Sequence, residues 1–261
     1  MTQTKLPLTV TLISRNEATR IEAAIRSVLS FADEVIVVDS GSTDQTVQIA
    51  ESLGAKVHVN DFKGFGEQKN FAQSLAKNNW ILNIDADERV TPELSTELHA
   101  FFKSPEISLV NGVYLPRKTW YLNRWVMHGG WYPNYLIRLS KKNASRWTEP
   151  ALHEALIVEG KTETFNQPLE HYSFPTQRSH IAKNMEYAAR VSLGLKKKGK
   201  RVGFFDITLR PLWKFIDGYV FKAGFLDGFA GFLIAIHSSY ATFLRYTYLY
   251  EQTAPHIDSR Q

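Results

Sequence analysis

The segment LNIDADERV, residues 82–90, sets Asp85, Asp87 and Glu88 within four positions directly after an apolar run, and Asp39 closes a second apolar run, EVIVVDS. Carboxylates accept hydrogen bonds from N–H and hydroxyl groups. They cannot cradle a diphosphate directly, because like charges repel, but Mg²⁺ or Mn²⁺ takes oxygen ligands from both sides. An isolated Asp-x-Asp is equally a turn or a cap. Two acidic sites, each at the end of an apolar run, favour a nucleoside-diphosphate ligand.

The surrounding pattern says what must position these acids. LTVTLIS (8–14) and EVIVVDS (34–40) are short β-branched runs, and Ile21, Ala24, Ile25, Val28 and Leu29 recur between them at helical spacing. STDQTVQIAESLG offers Ser42 or Asp44 as an N-cap and Gly54 as a stop before AKVHVN; residues 65–77 then read as a helix before NWILNID. Alternating strands and helices predict a parallel sheet covered on both faces. In the doubly wound order, strand 1 lies between strands 2 and 4, so Asp39 and the pair Asp85 and Asp87 should meet across one crevice. No G-x-G-x-x-G follows strand 1, and no P-loop is present.

The 261 residues fit one large domain with an appendage, and 44% hydrophobic with 22% charged residues is an ordinary globular composition. The net charge of +5 is a mild excess that does not call for a nucleic-acid partner. Without cysteine there is no disulfide and no thiolate ligand, so any metal needs carboxylates and histidines. MTQTKLPLTVTLIS, interrupted by Pro7, Thr9 and Thr11, reads as a first strand in a cytosolic protein rather than a signal peptide.

TLISRNE, VIVVDSGSTDQT, GEQKNFA and WILNIDADE, in this order, resemble the nucleotide-sugar domain of the inverting GT-A glycosyltransferases of family 2, over residues 6–172. HGGWYPNYLIRL, ALHEAL, LEHYSF and RPLWKFI…GFLDGFAGF resemble the small lipopolysaccharide-core β-1,4-glucosyltransferases within it. The resemblance implies an α/β, Rossmann-like GT-A fold. It implies that Arg15, Asn16, Glu17, Asp39, Lys69, Asn70 and Asp85 bind the nucleotide sugar, and that Asp87 holds Mg²⁺ or Mn²⁺. Where that group carries Asp after WYP, this chain has Asn134, which removes a charge. Glu88 is expected to cap the following helix or to be partly structural.

An inverting transfer needs a base for the acceptor hydroxyl. In EPALHEALIVEG the alternation of Leu152, Leu156 and Val158 predicts a strand with Glu154 on the same face, either paired with Arg138 or Arg146 or functional. The HE pair, which the resemblance sets at the acceptor edge, makes Glu154 the expected base. His153 is expected as a metal ligand, with His171 as its rival. The aromatic run around HGGWYPNY suggests an acceptor lid, with Trp131, Tyr132 and Arg138 as acceptor contacts.

The expected division is a catalytic domain over 1–175 (donor half 6–90, acceptor half 110–172), a helical region over 176–252 and a tail over 253–261. Residues 210–250 are rich in Phe, Tyr and Leu but carry Lys214, Asp217, Lys222, Asp227, His237 and Arg245, so no uncharged run nears the ~20 residues of a spanning helix. KKKGKR precedes this region, and each cation held at an anionic leaflet is worth about 1 kcal/mol. The helices are therefore expected to lie on the membrane interface as amphipathic elements rather than only to pack on the domain. The resulting expectation is a metal-dependent transferase moving glucose from UDP-glucose to a lipid-linked saccharide, the lipopolysaccharide inner-core heptose, at the cytoplasmic face of the inner membrane. The rivals are a sugar nucleotidyltransferase and a non-catalytic nucleotide-sugar binding module.

Overall fold

A computed structural model describes residues 4–149 and 154–254. The chain forms two compact units, Met1–Lys118 with Pro133–Tyr172, and Thr119–Tyr132 with Ser173–Gln261. Residues 119–132 thus fall in one unit with the C-terminal helices.

In the first unit, β1 (Leu6–Ser14), β2 (Ala32–Asp39), β3 (Lys56–Val59) and β4 (Trp80–Asn83) are parallel in the order β3-β2-β1-β4. The connections are α1 (Ile21–Arg26), α2 (Thr46–Ser52) and α3 (Phe65–Leu75). Strand alternation sends Leu8, Val10, Leu12, Val35, Val37 and Leu82 into one layer with Ile21, Ala24 and Ile25 of α1, and sends Ile36, Val38 and Ile81 to the other face with Ala72. The helix expected between β1 and β2 is shorter than its periodic pattern, because Val28 and Leu29 are held by turn bonds to the Ile25 carbonyl.

The sheet then turns mixed. After β5 (Glu88–Val90) and α4 (Pro92–Lys103), β6 (Gly112–Tyr121) and β8 (Asn134–Lys141) add antiparallel next to β4. β12 (Leu169–His171) pairs antiparallel with β5, and β11 (Thr162–Thr164) pairs parallel with β6. A separate hairpin joins β9 (Ser145–Trp147) to β10 (Leu156–Val158).

In the second unit the last residues of β6 form a hairpin with β7 (Arg124–Val126), turned by Leu122 and Asn123, both at positive φ. α5 (Gln177–Lys197), α6 (Phe204–Ile216) and α7 (Gly228–Thr253) complete it. Tyr121, fully buried, packs with Val126, Ala230 and Ile234. Its ring lies against Trp131, Phe174 and His180. His180 Nδ1 is 3.2 Å from His237 Nδ1.

Burial, then the neighbouring His237, then Lys183 lower the His180 pKa from 6.5 to about 4. Between those values the unfolded chain binds the proton that the folded chain refuses, so stability falls as pH drops from 6.5 toward 4 and is unaffected by this group above 6.5. At about 1.4 kcal/mol per unit the loss is at most about 3 kcal/mol. Thermal unfolding of wild type should show this acid arm and His180→Phe should flatten it; identical pH profiles would refute the assignment.

Candidate active site

The carboxyl ends of β1, β2 and β4 form one edge. Ser14 stands in register with Asp39, and Ile84 N donates to the Thr11 carbonyl just beyond β4. Asp39 is 1% exposed and accepts from Ser14 Oγ (3.0 Å), Ser42 N (2.7 Å) and Ser42 Oγ (2.5 Å). The loops after β1 and β2 are stitched together, since Asn16 N donates to Ser42 Oγ and Thr43 N donates to Asn16 Oδ1, both at 2.8 Å. Asn16 lies at φ 55°, a left-handed conformation that Asn tolerates well. Of the expected nucleotide contacts here, Asp39 and Asn16 shape the loop, Arg15 is exposed, and Glu17 is half-buried. Burial pushes the Glu17 carboxyl up; Arg20 opposes this, and the charges of Asp87, Asp44 and Asp85 add to it. Those acids therefore share one electrostatic neighbourhood.

The turn after β4 closes on itself, with Glu88 N donating to Asp85 O at 2.9 Å and Asp85 N donating to Glu88 Oε2 at 3.0 Å. Glu88 is fully buried and accepts from Arg138 Nη2 at 2.6 Å and Arg117 Nη1 at 3.0 Å. Of its two expected roles this is the structural one, since the cap of α4 is Thr91, accepting from Leu94 N at 3.0 Å. Arg138, placed on β8 between β4 and β6, is 4% exposed and binds Asp85 Oδ2 at 2.6 Å, so it fixes the acids from the wall of the cavity described below. Burial opposes the charged form of Asp85, but Arg138 and Lys69 outweigh it and hold the carboxyl far below the usual range. Asp85 and Glu88 in turn outweigh burial at Arg138 and hold its guanidinium charged.

Removing one member of such a buried cluster leaves an uncompensated charge, at a cost of about 3–5 kcal/mol. Arg138→Met should lose about that much in urea unfolding, and a loss below about 1 kcal/mol would show that Arg117 and Lys69 suffice.

Asp87 is half-buried, with its carbonyl accepting from Tyr172 N at 2.8 Å. The antiparallel register of β12 with β5, His171 opposite Glu88, brings His171 Nε2 to 3.5 Å from Asp87 Oδ2. An imidazole nitrogen and a carboxylate oxygen at this spacing suit one divalent cation. No cluster of three or more acids or histidines that could hold a metal exists among the described residues, so diphosphate oxygens and water would complete the coordination, as suits Mg²⁺ or Mn²⁺. His153 lies outside the described residues.

Lys69 of α3 links Asp85 to Glu154: it is 4% exposed, 3.0 Å from Glu154 Oε1, 3.4 Å from Asp85 Oδ1 and 4.4 Å over the Trp147 ring. With Asp85, Arg117, Arg138, Trp147 and Glu154 it lines a cavity of about 400 Å³. Glu154 is not on a strand, as alternation suggested. Ala155 and Thr148 close the β9–β10 hairpin, and Glu154 precedes it. The Asn70 amide accepts from Trp147 N at 2.8 Å and donates to Trp147 O at 2.9 Å, which ties α3 to β9. Trp131 and Tyr132 belong to the second unit, where Trp131 packs on Phe174 and His180. Arg117, beside Lys118 in β6, carried no sequence signal.

Residues 9–156 match the family model described as Glycosyl transferase family 2. A Rickettsia bellii protein named uncharacterized glycosyltransferase is 36% identical over 92% of this chain and 85% of its own length. The Rhizobium meliloti lipopolysaccharide core biosynthesis glycosyltransferase LpsC is 27% identical over 97% of each chain. Among solved structures, S. aureus TarS 1–349 in complex with UDP-GlcNAc aligns with a TM-score of 0.49 at 15% identity, covering 94% of this chain and 91% of that one.

Proposed function

Since the chain belongs to glycosyl transferase family 2, with the mixed α/β GT-A sheet and C-terminal helices, and transfers sugar from a nucleotide-sugar donor, we propose that it is a metal-dependent inverting hexosyltransferase using UDP-glucose. Its acceptor on this reading is a sugar hydroxyl of a lipid-linked saccharide, the lipopolysaccharide inner-core heptose, reached from the cytoplasmic face of the inner membrane. The similarity to LpsC along nearly the whole chain supports the acceptor class. The observation that carries the reading is the split of one acidic turn: Asp87 beside His171, and Asp85 linked through Lys69 to Glu154.

Asp87 and His171 hold the cation, which when bound neutralises charge on the departing diphosphate. Asp85, with the stitched loops after β1 and β2, orients the nucleoside. Glu154, on the wall of the cavity, takes the proton of the acceptor hydroxyl as it attacks the anomeric carbon opposite the leaving group. Lys69 fixes the Glu154 carboxylate.

Nucleotide release from a panel of UDP-, GDP- and dTDP-sugars, with Mn²⁺ and with chelator, tests the donor. UDP release from UDP-glucose that stops with chelator is expected. Preference for another donor, or release unaffected by chelator, refutes that part of the reading, and pyrophosphate as product would mean nucleotidyl transfer.

A further inference from the structure

The second unit contains a bend that the catalytic reading does not use. α6 runs through a π-helical turn at Asp217–Phe221, breaks at Ala223 with φ 55°, and restarts as α7 at 73° to its former direction. No single helix of the described residues is long and apolar enough to cross a membrane, whereas this bent pair is apolar enough as a pair. Two glycines make the bend: a Cβ on Gly224 would meet Gly218 O at 2.6 Å, and one on Gly231 would meet Gly224 O at 1.8 Å. Asp227, 3% exposed, clamps it from inside by accepting from His128 N at 2.8 Å and Met127 N at 3.1 Å, while Arg124 Nη1 donates to the Asp227 carbonyl at 2.6 Å.

This rigid bend presents its largest apolar side chains outward: Phe221 is 68% exposed, Phe225 50%, Leu226 56% and Phe229 71%. Trp213 lies beside them, its ring 5.6 Å from Phe221. Contiguous exposed aromatics on a clamped backbone mark an interaction surface rather than a frayed end. Next to them is a cavity of about 170 Å³ lined by Gly129, Gly130, Lys214, Lys222 and Ser238. It is small beside the roughly 300–1,000 Å³ of ordinary ligand sites. Lys222 runs across Gly130, where a Cβ would meet its Cδ at 2.9 Å, and gives one N–H to Asp217 at 2.8 Å, leaving two for a ligand. Lys214 adds a second cation at the wall.

We propose that the bend is a bilayer-docking element whose cavity takes the phosphate of an anionic phospholipid while Phe221, Phe225 and Phe229 enter the acyl boundary. Two cations at the cavity match an anionic headgroup, and the phenylalanines match the hydrocarbon next to it. The proposal rests on the reading that the enzyme works at a membrane. It adds which residues make the contact and which lipids are selected.

Co-sedimentation with phosphatidylcholine vesicles and with mixed phosphatidylcholine–phosphatidylglycerol vesicles tests it, with UDP-glucose hydrolysis in lipid-free solution measured on the same preparations. The double variant Phe221→Asp/Phe225→Asp should lose about tenfold or more in partition to both vesicles. Lys214→Gln/Lys222→Gln should lose about tenfold or more of the preference for phosphatidylglycerol. Hydrolysis should be unchanged in both variants. In the unsubstituted protein, brominated acyl chains should quench tryptophan emission, and Trp213→Phe should remove most of that quenching. Wild-type partition by the aspartate variant, an unchanged lipid preference in the glutamine variant, or absent quenching would each overturn the proposal. Loss of hydrolysis in wild type would instead count against the donor assignment.

Discussion

Asp87→Ala should lower metal-dependent UDP release from UDP-glucose by about 10³-fold, the several kcal/mol that a cation contributes at a leaving diphosphate. The unfolding midpoint should hardly move, because the β5–β12 connection uses the Asp87 carbonyl, which alanine retains, and its carboxylate is not one of the acids buried on Arg138. His171→Ala should raise the Mn²⁺ concentration needed for half-maximal release. Full activity in Asp87→Ala would remove the donor-site assignment altogether, whereas an unshifted Mn²⁺ requirement in His171→Ala would remove only the histidine. The same turn thus yields opposite expectations from neighbouring acids: substitution at Asp87 costs rate, and breaking the Glu88–Arg138 pair costs stability.

Glu154→Gln should lower transfer to the acceptor by about 10²–10⁴-fold, the range a positioned base contributes. Glutamine keeps the volume and can still accept from Lys69, so donor affinity, read by UDP-glucose titration, should stay near wild type. Loss of donor binding along with transfer would mean that the Lys69–Glu154 pair is a structural support. Full activity would move the role elsewhere, with Glu149, which accepts from Asn70 at 3.0 Å, the nearest acid in sequence.

The parallel half of the sheet was legible because β1, β2 and β4 carry β-branched runs buried on both faces, and the helices between them show period 3.6. That reading brought Asp39, Asp85 and Asp87 to one edge. What it missed depends on pairings far apart in sequence. Alternation cannot say that β12 returns to β5, yet this register sets His171 beside Asp87. The partners of Glu88 were hidden for the same reason: Arg117 and Arg138 come from β6 and β8, so a local reading could offer a structural role or a helix cap without choosing between them. The setting of Glu154 was missed because the β9–β10 hairpin against α3 is not encoded by a periodic pattern. The aromatic HGGW loop looked mobile from its glycines, whereas Asp227 immobilises its start.

That clamp joins Arg124 to Asp227 across 103 residues. During synthesis the β6–β7 hairpin emerges long before the helices that bury Tyr121 and Val126, so part of the second unit waits while the rest of it is still to be made. Long-range closures of this kind are slow and leave apolar surface waiting. A chain cut after Tyr172 would keep every strand of the donor half and still expose that hairpin face, so it should aggregate rather than yield a minimal enzyme.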